Sequence, residues 1–452
     1  MRRIGIRRED KDPWEARVPL IPDDVVRLTS SGAAEIVVQP SRQRVFNEDE
    51  YVRAGARVKE DLSACDIVLA VKEIPLELFA PGKTYAFFSH TIKGQPYNMD
   101  MLRRLMELEC QVIDYERITD ERGRRIIFFS RFAGLAGAID SLWALGRRLA
   151  WEGLMPNPFA ALEQTYRYPT LEEALAAVRD VGARIAVDGL PAELCPFVIG
   201  ITGYGNASLG VQEVTDALGA APVAPAGLDA LFAGPAGTAR AGDDASRRAV
   251  HKVVFTEHEM VARRDSSAPF ALDEYFRQPA LYEGTFERRL PQLTVLLNCV
   301  FWDTPYPRLV TKAAVRRLFA AAGTAATPAP TPPRLRVIGD VSCDIEGSVE
   351  LTVKETHIDE PVYVYDPDTG RIADGVEGRG PVVLAVGNLP CELSRESSTA
   401  FSAALSPFLP ALAAADFSMA YDRLNLAPEL RRALILLHGH FTPDYEHMRR
   451  FV

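Results

Sequence analysis

The sequence predicts a two-domain α/β protein. Each domain is expected to be a doubly wound, mainly parallel sheet with helices on both faces, and the active-site cleft is expected between the two. Three observations carry this. The chain has 452 residues, more than a single hydrophobic core usually serves. From Arg3 to Glu116, apolar runs of strand length alternate with helical stretches, the pattern of a parallel sheet. Near the middle, an apolar run leads into a glycine turn and then a helix, as in a dinucleotide-binding βαβ unit.

Bulk composition narrows the classes of function. Hydrophobic residues at 47% with 25% charged residues are ordinary for a globular chain. A formal charge of −10 argues against nucleic-acid and anionic-membrane partners. No window approaches the roughly 20 apolar residues of a membrane span. The start, Met1-Arg-Arg-Ile-Gly-Ile-Arg-Arg-Glu9, has cations without an apolar run behind them, so no secretory signal is expected. The six cysteines form no C-x-x-C pair. Scattered buried thiols in a reducing compartment are expected, with a cytoplasmic location and no metal site.

Taken in order, strands are expected at Ile4–Ile6, Ile36–Val38, Asp66–Val71, Tyr85–Phe88 and Gln111–Ile113. Helices are expected at Pro22–Leu28, Glu48–Ala54 and Asn98–Met106. Active groups in such folds lie at the carboxyl ends of strands, which marks Lys72 and Glu73 after Val71, and His90 after Ser89. A cation, a carboxylate and a titratable ring in one crevice are the materials of acid–base chemistry. A solvated Lys-Glu pair and a capping histidine are the plain alternative. Arg7, Arg8, Arg17, Lys93, Arg124 and Arg125 flank the same edge, where arginines suit bidentate binding of carboxylates.

Phe132–Leu149 reads as a long helix whose Gly134, Ala136, Gly137 and Ala138 permit close packing, as in a helix crossing between domains. Met155-Pro-Asn-Pro158 breaks the chain, and a helix over Thr170–Arg179 begins with a Thr170/Glu173 capping box. Next come a strand over Phe197–Ile201, the turn Gly203-x-Gly205, and a helix over Val211–Leu218. Gly203 allows the tight turn. Gly205 lets the backbone approach a pyrophosphate at the helix N-terminus. Ser208 stands where a third glycine is usual, so an ordinary glycine-rich turn explains this stretch equally well when it is taken alone.

The second strand is expected at Ala221–Pro225 and has no acid at its end for a ribose hydroxyl. That favours NADP(H) over NAD(H), with Asp229 as the acid if the strand ends further on. Residues 234–246 and 323–333 read as surface loops. Strands at Leu293–Asn298, Leu335–Asp340 and Pro381–Val386 come next, and the tail over Ser397–Leu412 and Pro428–Leu437 reads as helical.

These blocks resemble the lysine–ketoglutarate reductase half of the bifunctional aminoadipic semialdehyde synthases. More distantly they resemble fungal saccharopine dehydrogenases and alanine dehydrogenases. The resemblance is carried by Arg7-Arg-Glu-Asp10, Trp14-Glu-Ala-Arg-Val-Pro-Leu20, Val71-Lys-Glu-Ile-Pro75 and Phe87-Phe-Ser-His-Thr-Ile-Lys93. It continues through Asp114-Tyr-Glu116, Gly123-Arg-Arg125, Thr202-Gly-Tyr-Gly-Asn206, Gly339-Asp-Val-Ser-Cys-Asp344 and Gly387-Asn-Leu-Pro390. Two Rossmann-like domains are expected. Residues 1–132 with 393–452 would form the catalytic domain, and 133–392 the dinucleotide-binding domain.

The resemblance implies reductive condensation of L-lysine with 2-oxoglutarate to saccharopine by NADPH, reversibly. It gives Lys72 and His90 as the acid–base pair and Glu73 and Glu116 as acids that tune it. Arg17, Lys93 and Arg125 would be the substrate-binding cations. Gly203, Tyr204, Gly205, Asn206, Ala207 and Ser208 would cradle the nucleotide, with Asn298, Asp340 and Asp344 near the nicotinamide. Cys343 departs from the alanine the family leads one to expect.

That reaction needs residues of these kinds. An amine with a pKa near 10.4 must lose its proton to attack a ketone, at a cost of about 4–5 kcal/mol at pH 7. A base must take that proton, and an acid must help expel hydroxide from the carbinolamine. The partners expected are small molecules, with no metal required and a homo-oligomer left open. Two rivals stand beside this reading: another amino-acid dehydrogenase of the alanine type, and a catalytically silent nucleotide-binding regulatory protein.

Overall fold

A computed structural model describes residues 2–233, 244–265, 268–321 and 333–452; the loops expected at 234–243 and 323–332 lie outside the described residues. The chain divides into two compact units, residues 1–129 with 394–452, and residues 130–393.

In the first unit the strands are β1 (Arg3–Ile6), β2 (Glu35–Val38), β3 (Arg57–Val58), β4 (Ile67–Leu69), β5 (Thr84–Phe87) and β6 (Gln111–Asp114). They are parallel to one another. β4, β5 and β6 are buried at every position, as expected of parallel strands covered on both faces. The covering helices are α1 (Pro22–Ser30), α2 (Glu48–Arg53) and α3 (Pro96–Glu107). Pro22 starts α1 with Asp23 and Asp24 in its first turn, where a fixed φ and negative charge both favour the helix. Asn47 caps α2 in a capping box with Glu50.

The second unit opens with α4 (Ser130–Trp151) and α5 (Leu171–Asp188), the latter capped by Thr170 as expected. Then come β7 (Phe197–Thr202), α6 (Asn206–Ala217), β8 (Ala221–Pro222) and β9 (Val250–Phe255). A two-stranded hairpin, β10 (Val261–Arg263) and β11 (Tyr282–Gly284), precedes β12 (Val295–Asn298) and β13 (Val337–Asp340). The sheet finishes with β14 (Val362–Tyr365), β15 (Ile372–Asp374) and β16 (Val382–Leu384), in the order β15-β14-β16-β13-β12-β7-β9-β8. All of its pairings are parallel except those of β14. α4 belongs to this unit, and its small residues serve a close contact with α6.

After the helix Ser394–Leu405 the chain adds β17 (Leu434–Leu437) and β18 (His440–Phe441) to the first sheet, β17 running antiparallel to β6. The helical expectation for Pro428–Leu437 therefore holds only to Ala433. Leu434-Ile-Leu-Leu437 is apolar throughout, and such a run has no periodicity to separate strand from helix.

The strand order carries a second correction. The strand expected next to β7 was Ala221–Pro225. β8 is only two residues long, exposed, and at the sheet edge, where a proline without an N–H is tolerated. β9 takes the place beside β7, paired along its whole length. Among the described residues no helix is long and apolar enough to cross a membrane.

Candidate active site

In the first unit the backbone ladder of β4 and β5 continues past both strands, with Ala70 N–H donating to Ala86 O (3.1 Å) and Phe88 N–H to Val71 O (3.1 Å). The segments beyond them hold Lys72 and Glu73 on one side and Ser89 and His90 on the other. His90 turns the chain with φ 49°, an uncommon conformation outside glycine that recurs at functional sites. Its Nδ1 lies 2.7 Å from Glu73 Oε1. The second oxygen of Glu73 accepts from Lys11 Nζ at 2.8 Å. Burial would raise the Glu73 carboxyl, but the hydrogen bonds from His90 and Lys11 outweigh it and hold the group well below the usual carboxylate range. An ionised carboxylate only accepts, so Nδ1 carries the imidazole proton and Nε2 is the ring's acceptor. Asn98 fixes the turn by donating to the carbonyls of Ser89 (3.1 Å) and His90 (3.2 Å).

Lys72 is half-buried. Its backbone N–H and that of Val71 donate to the two oxygens of Glu9, at 3.0 and 2.7 Å. Among the described residues its ammonium has no ion-pair partner. Glu9 is buried, and burial together with the charge of Glu15 pushes its carboxyl up to about 7. Sequence reasoning gave Glu9 no role, because an acid between Arg8 and Asp10 reads as one more solvated charge.

The remaining expected residues divide. Arg125 lies 3.5 Å from Glu116 and 6.0 Å from the Phe88 ring, and that ring stacks on His90 at 6.2 Å. Glu116 is held by its own N–H donating to Asp114 at 2.7 Å. Buried Asp114 also accepts from Ser89 Oγ, and burial pushes it up to about 6. Arg17 is buried and gives Nε and Nη2 to Glu15 at 2.7 and 2.5 Å. Its guanidinium lies 4.2 Å from the Phe129 ring. Lys93 is exposed, three residues beyond His90. The first unit thus joins Lys72, Glu73, His90, Glu116 and Arg125 through direct contacts or neighbouring backbone, whereas Arg17 is committed to Glu15.

In the second unit Gly203 has φ 83° and donates its N–H to Phe255 O at 2.9 Å. α6 starts at Asn206 rather than Val211, with Gly205 as its N-cap. Asn206, Ala207 and Ser208 therefore supply first-turn N–H groups that have no partner within the helix. A Cβ on Gly205 meets nothing within 4 Å, so its backbone is open to a ligand. Open space, a left-handed glycine and a helix N-terminus together fit a pyrophosphate. Tyr204 is half exposed.

Ser208 is buried and accepts from Gln212 Nε2 at 3.1 Å. The packing task of a third glycine falls instead on Gly210, whose added Cβ would lie 2.1 Å from Arg131 O. Gly134 faces the same contact from α4, with its Cβ 1.9 Å from Ala207 O.

Thr202, Asn298 and Asp340 form one row across β7, β12 and β13. Asn298 accepts from Thr202 (2.8 Å) and donates to Asp340 (2.8 Å), with Ser342 and Ser348 at 2.9 and 2.8 Å. Asp340 also accepts from Thr352 at 2.6 Å, and burial raises its carboxyl above the usual range. Both side chains are buried and spent on each other, which makes them the floor of the strand ends. Asp344 is half-buried in the tightly wound loop between Cys343 (φ 53°) and Gly347. Because β9 lies beside β7, the missing acid after Ala221–Pro225 no longer bears on the ribose.

Residues 5–136 match the alanine dehydrogenase/PNT N-terminal domain. Over 99% of its length the chain is 35% identical to an alpha-aminoadipic semialdehyde synthase of Arabidopsis thaliana and 34% identical to the mitochondrial one of Bos taurus. It covers 41% and 47% of them, less than half the length of these curated relatives. It is also 25% identical to the saccharopine dehydrogenase (NAD(+), L-lysine-forming) of Emericella nidulans, over 90% of this chain and 91% of that one. A solved L-alanine dehydrogenase shares the fold over the full length of both chains, with a TM-score of 0.59 at 18% identity. A transhydrogenase from Sinorhizobium meliloti does so with 0.55 at 15% identity, over 97% of this chain and 100% of that one.

Proposed function

The chain belongs to the alanine dehydrogenase/saccharopine dehydrogenase superfamily, and on that premise we propose that it is an oxidoreductase of CH–NH bonds. In this reading it condenses L-lysine with 2-oxoglutarate to saccharopine, reversibly, at the expense of a reduced pyridine nucleotide. The observation that carries the proposal is the His90–Glu73 contact of 2.7 Å, with Lys72 beside it on the same strand end. The names of relatives aligned over nearly the whole chain supply the substrate class.

The residues' parts derive from their chemistry. Glu73, ionised and shared with Lys11, fixes the imidazole tautomer, so Nε2 is the atom that takes a proton from the substrate ammonium. The deprotonated amine then attacks the ketone carbon of the keto acid. Lys72 Nζ gives a proton to the departing hydroxyl, so water leaves and an imine remains. When bound, the reduced nucleotide supplies the hydride that converts the imine to the secondary amine. Arg125 and Lys93 are the cations for the substrate carboxylates, while Arg17 orders Phe129 through its own pairing with Glu15. In this assignment residues 1–129 with 394–452 are the catalytic domain and 130–393 the coenzyme domain. The preference for NADP(H) over NAD(H) drawn from the Ala221–Pro225 strand loses its basis, since that strand is at the sheet edge.

The test is nucleotide absorbance at 340 nm with lysine and 2-oxoglutarate together, then with each omitted. Oxidation that needs both is expected; oxidation with ammonia in place of lysine would favour the alanine-type reaction. Lys72→Met and His90→Gln are each expected to lower turnover roughly 10²- to 10⁴-fold with coenzyme binding retained. Full turnover in either variant removes that residue from the mechanism.

A further inference from the structure

We propose that Glu257 selects the coenzyme: its carboxylate binds the hydroxyls of an unphosphorylated adenosine ribose, making the site one for NAD(H) rather than NADP(H). This rests on the reading that a pyridine nucleotide binds at the Gly203–Gly205 turn. In a dinucleotide-binding sheet the adenosine ribose lies over the strand next to the first one, on the side away from the nicotinamide, and meets an acid at that strand's end. Here β7 is the first strand, and β12 with Asn298 is its neighbour on one side. β9 is the neighbour on the other. The Gly203 N–H bonds Phe255 O at 2.9 Å, so Glu257, two residues past Phe255, stands beside the glycine turn. It is half-buried and is the hydrogen-bond and charge partner of the Tyr204 hydroxyl.

A cavity of about 380 Å³ opens at this point, lined among others by Gly203, Tyr204, Glu257, Phe276, Phe301 and Trp302. That is within the size range of small-molecule sites. The rings of Phe276 and Phe301 are 48% and 72% exposed. Flat apolar faces left in water are what a purine stacks upon. No lysine or arginine lines the cavity. The cations nearest along the chain are already engaged: Arg263 by Glu274 and Asp265, and Arg308 by Glu350 and the carbonyl of Glu346. A ribose 2′-phosphate, with close to two negative charges, would meet the Glu257 carboxylate and no cation in answer. Two ribose hydroxyls would instead donate to it.

The full-length chain should be titrated separately with NADH and with NADPH, measuring nucleotide fluorescence without amine or keto acid. The wild type is expected to bind NADH at least about tenfold more tightly, the worth of one charge-assisted hydrogen bond. Glu257→Gln should lower the NADH-to-NADPH affinity ratio roughly tenfold, and Glu257→Arg should invert the preference. Phe301→Ala should weaken both nucleotides alike and leave the ratio unchanged. Glu257→Gln keeps the side-chain shape, so it decides the matter if the arginine variant does not fold. A wild type that prefers NADPH, binds neither nucleotide, or keeps its ratio in Glu257→Gln overturns the proposal. Since the titration needs no turnover, its outcome is separate from whether lysine and 2-oxoglutarate are the substrates.

Discussion

Glu9 is where burial does most to a single residue. Its two oxygens accept the N–H groups of Val71 and Lys72, so it holds the strand end from which Lys72 projects. Its carboxyl stands at about 7 in the fold against about 4.3 in an open chain. Between those values the folded protein keeps a proton that the unfolded chain has lost. The stability owed to Glu9 is therefore full below about pH 4.3 and is lost as pH rises through about 7, by roughly 2–4 kcal/mol in all. Glu73 has the opposite sign: its depressed pKa gives stability above about pH 4.3 that is lost only in stronger acid. Urea denaturation of the wild type and Glu9→Gln from pH 5 to 8 separates the two. The variant is expected to be less stable, because an amide nitrogen must face one of the two N–H donors, at about 1–3 kcal/mol. The gap between them should narrow as pH rises, and a gap independent of pH would show that Glu9 does not titrate in this range. Lys72, Glu73 and His90 were legible in the sequence because the rule of strand carboxyl ends needs only an apolar run and the two or three residues after it. Glu9 was not, since an acid acquires an unusual pKa only when distant parts of the chain enclose it.

Among the elements, the contact of α4 with α6 decides where the coenzyme turn stands. Gly134 and Gly210 allow it, and a methyl at either would lie about 2 Å from a backbone oxygen, 1.9 Å from Ala207 O or 2.1 Å from Arg131 O. Gly210→Ala is therefore expected to destabilise the fold by about 1–3 kcal/mol and to weaken coenzyme binding with it. Gly205→Ala is expected to behave differently. Its φ of −76° suits alanine and nothing lies within 4 Å of the added carbon, so stability should stay within about 0.5 kcal/mol. Coenzyme affinity should nonetheless fall by about tenfold or more, roughly 1.4 kcal/mol, because the methyl occupies the approach of the pyrophosphate. Denaturation and coenzyme titration of both variants distinguish them, and Gly205→Ala with unchanged affinity would remove the turn from the coenzyme site. The glycine turn was readable in sequence and the start of α6 was not, since Asn206-Ala-Ser208 carries no helical apolar pattern. β9 escaped notice because Lys252 and His251 interrupt its apolar residues. Lys252 is nevertheless buried with Nζ on Asp216 at 2.6 Å, a pairing that only the fold creates.

At the scale of the molecule, the chain leaves the first unit at residue 129 and rejoins it at 394, so the two units differ in what they need from the ends. The second is one continuous stretch with its own sheet and core, the latter including Val253, Phe286, Leu296, Ile338 and Val383. The first is not. Phe401, Leu405, Leu409, Leu412, Leu430 and Leu434 all belong to the core around Ile4, Ile67 and Tyr115. Ser398 and Ser402 accept the N–H groups of Val18 and Ile21 at 2.9 and 3.0 Å. Losing even one large core side chain costs about 2–5 kcal/mol, against a total stability of about 5–15 kcal/mol. Residues 1–129 without the tail are thus expected to remain unfolded in a chain ending at Leu393. Residues 130–393 alone are expected to fold and to bind the coenzyme nearly as tightly as the full chain, with no turnover for want of Lys72 and His90. Coenzyme at about a hundred times its Kd should raise that fragment's stability by about 2.7 kcal/mol. Circular dichroism melts with and without nucleotide provide the measurement. A fragment that melts at the same temperature either way would mean that residues 130–393 do not suffice to hold the nucleotide.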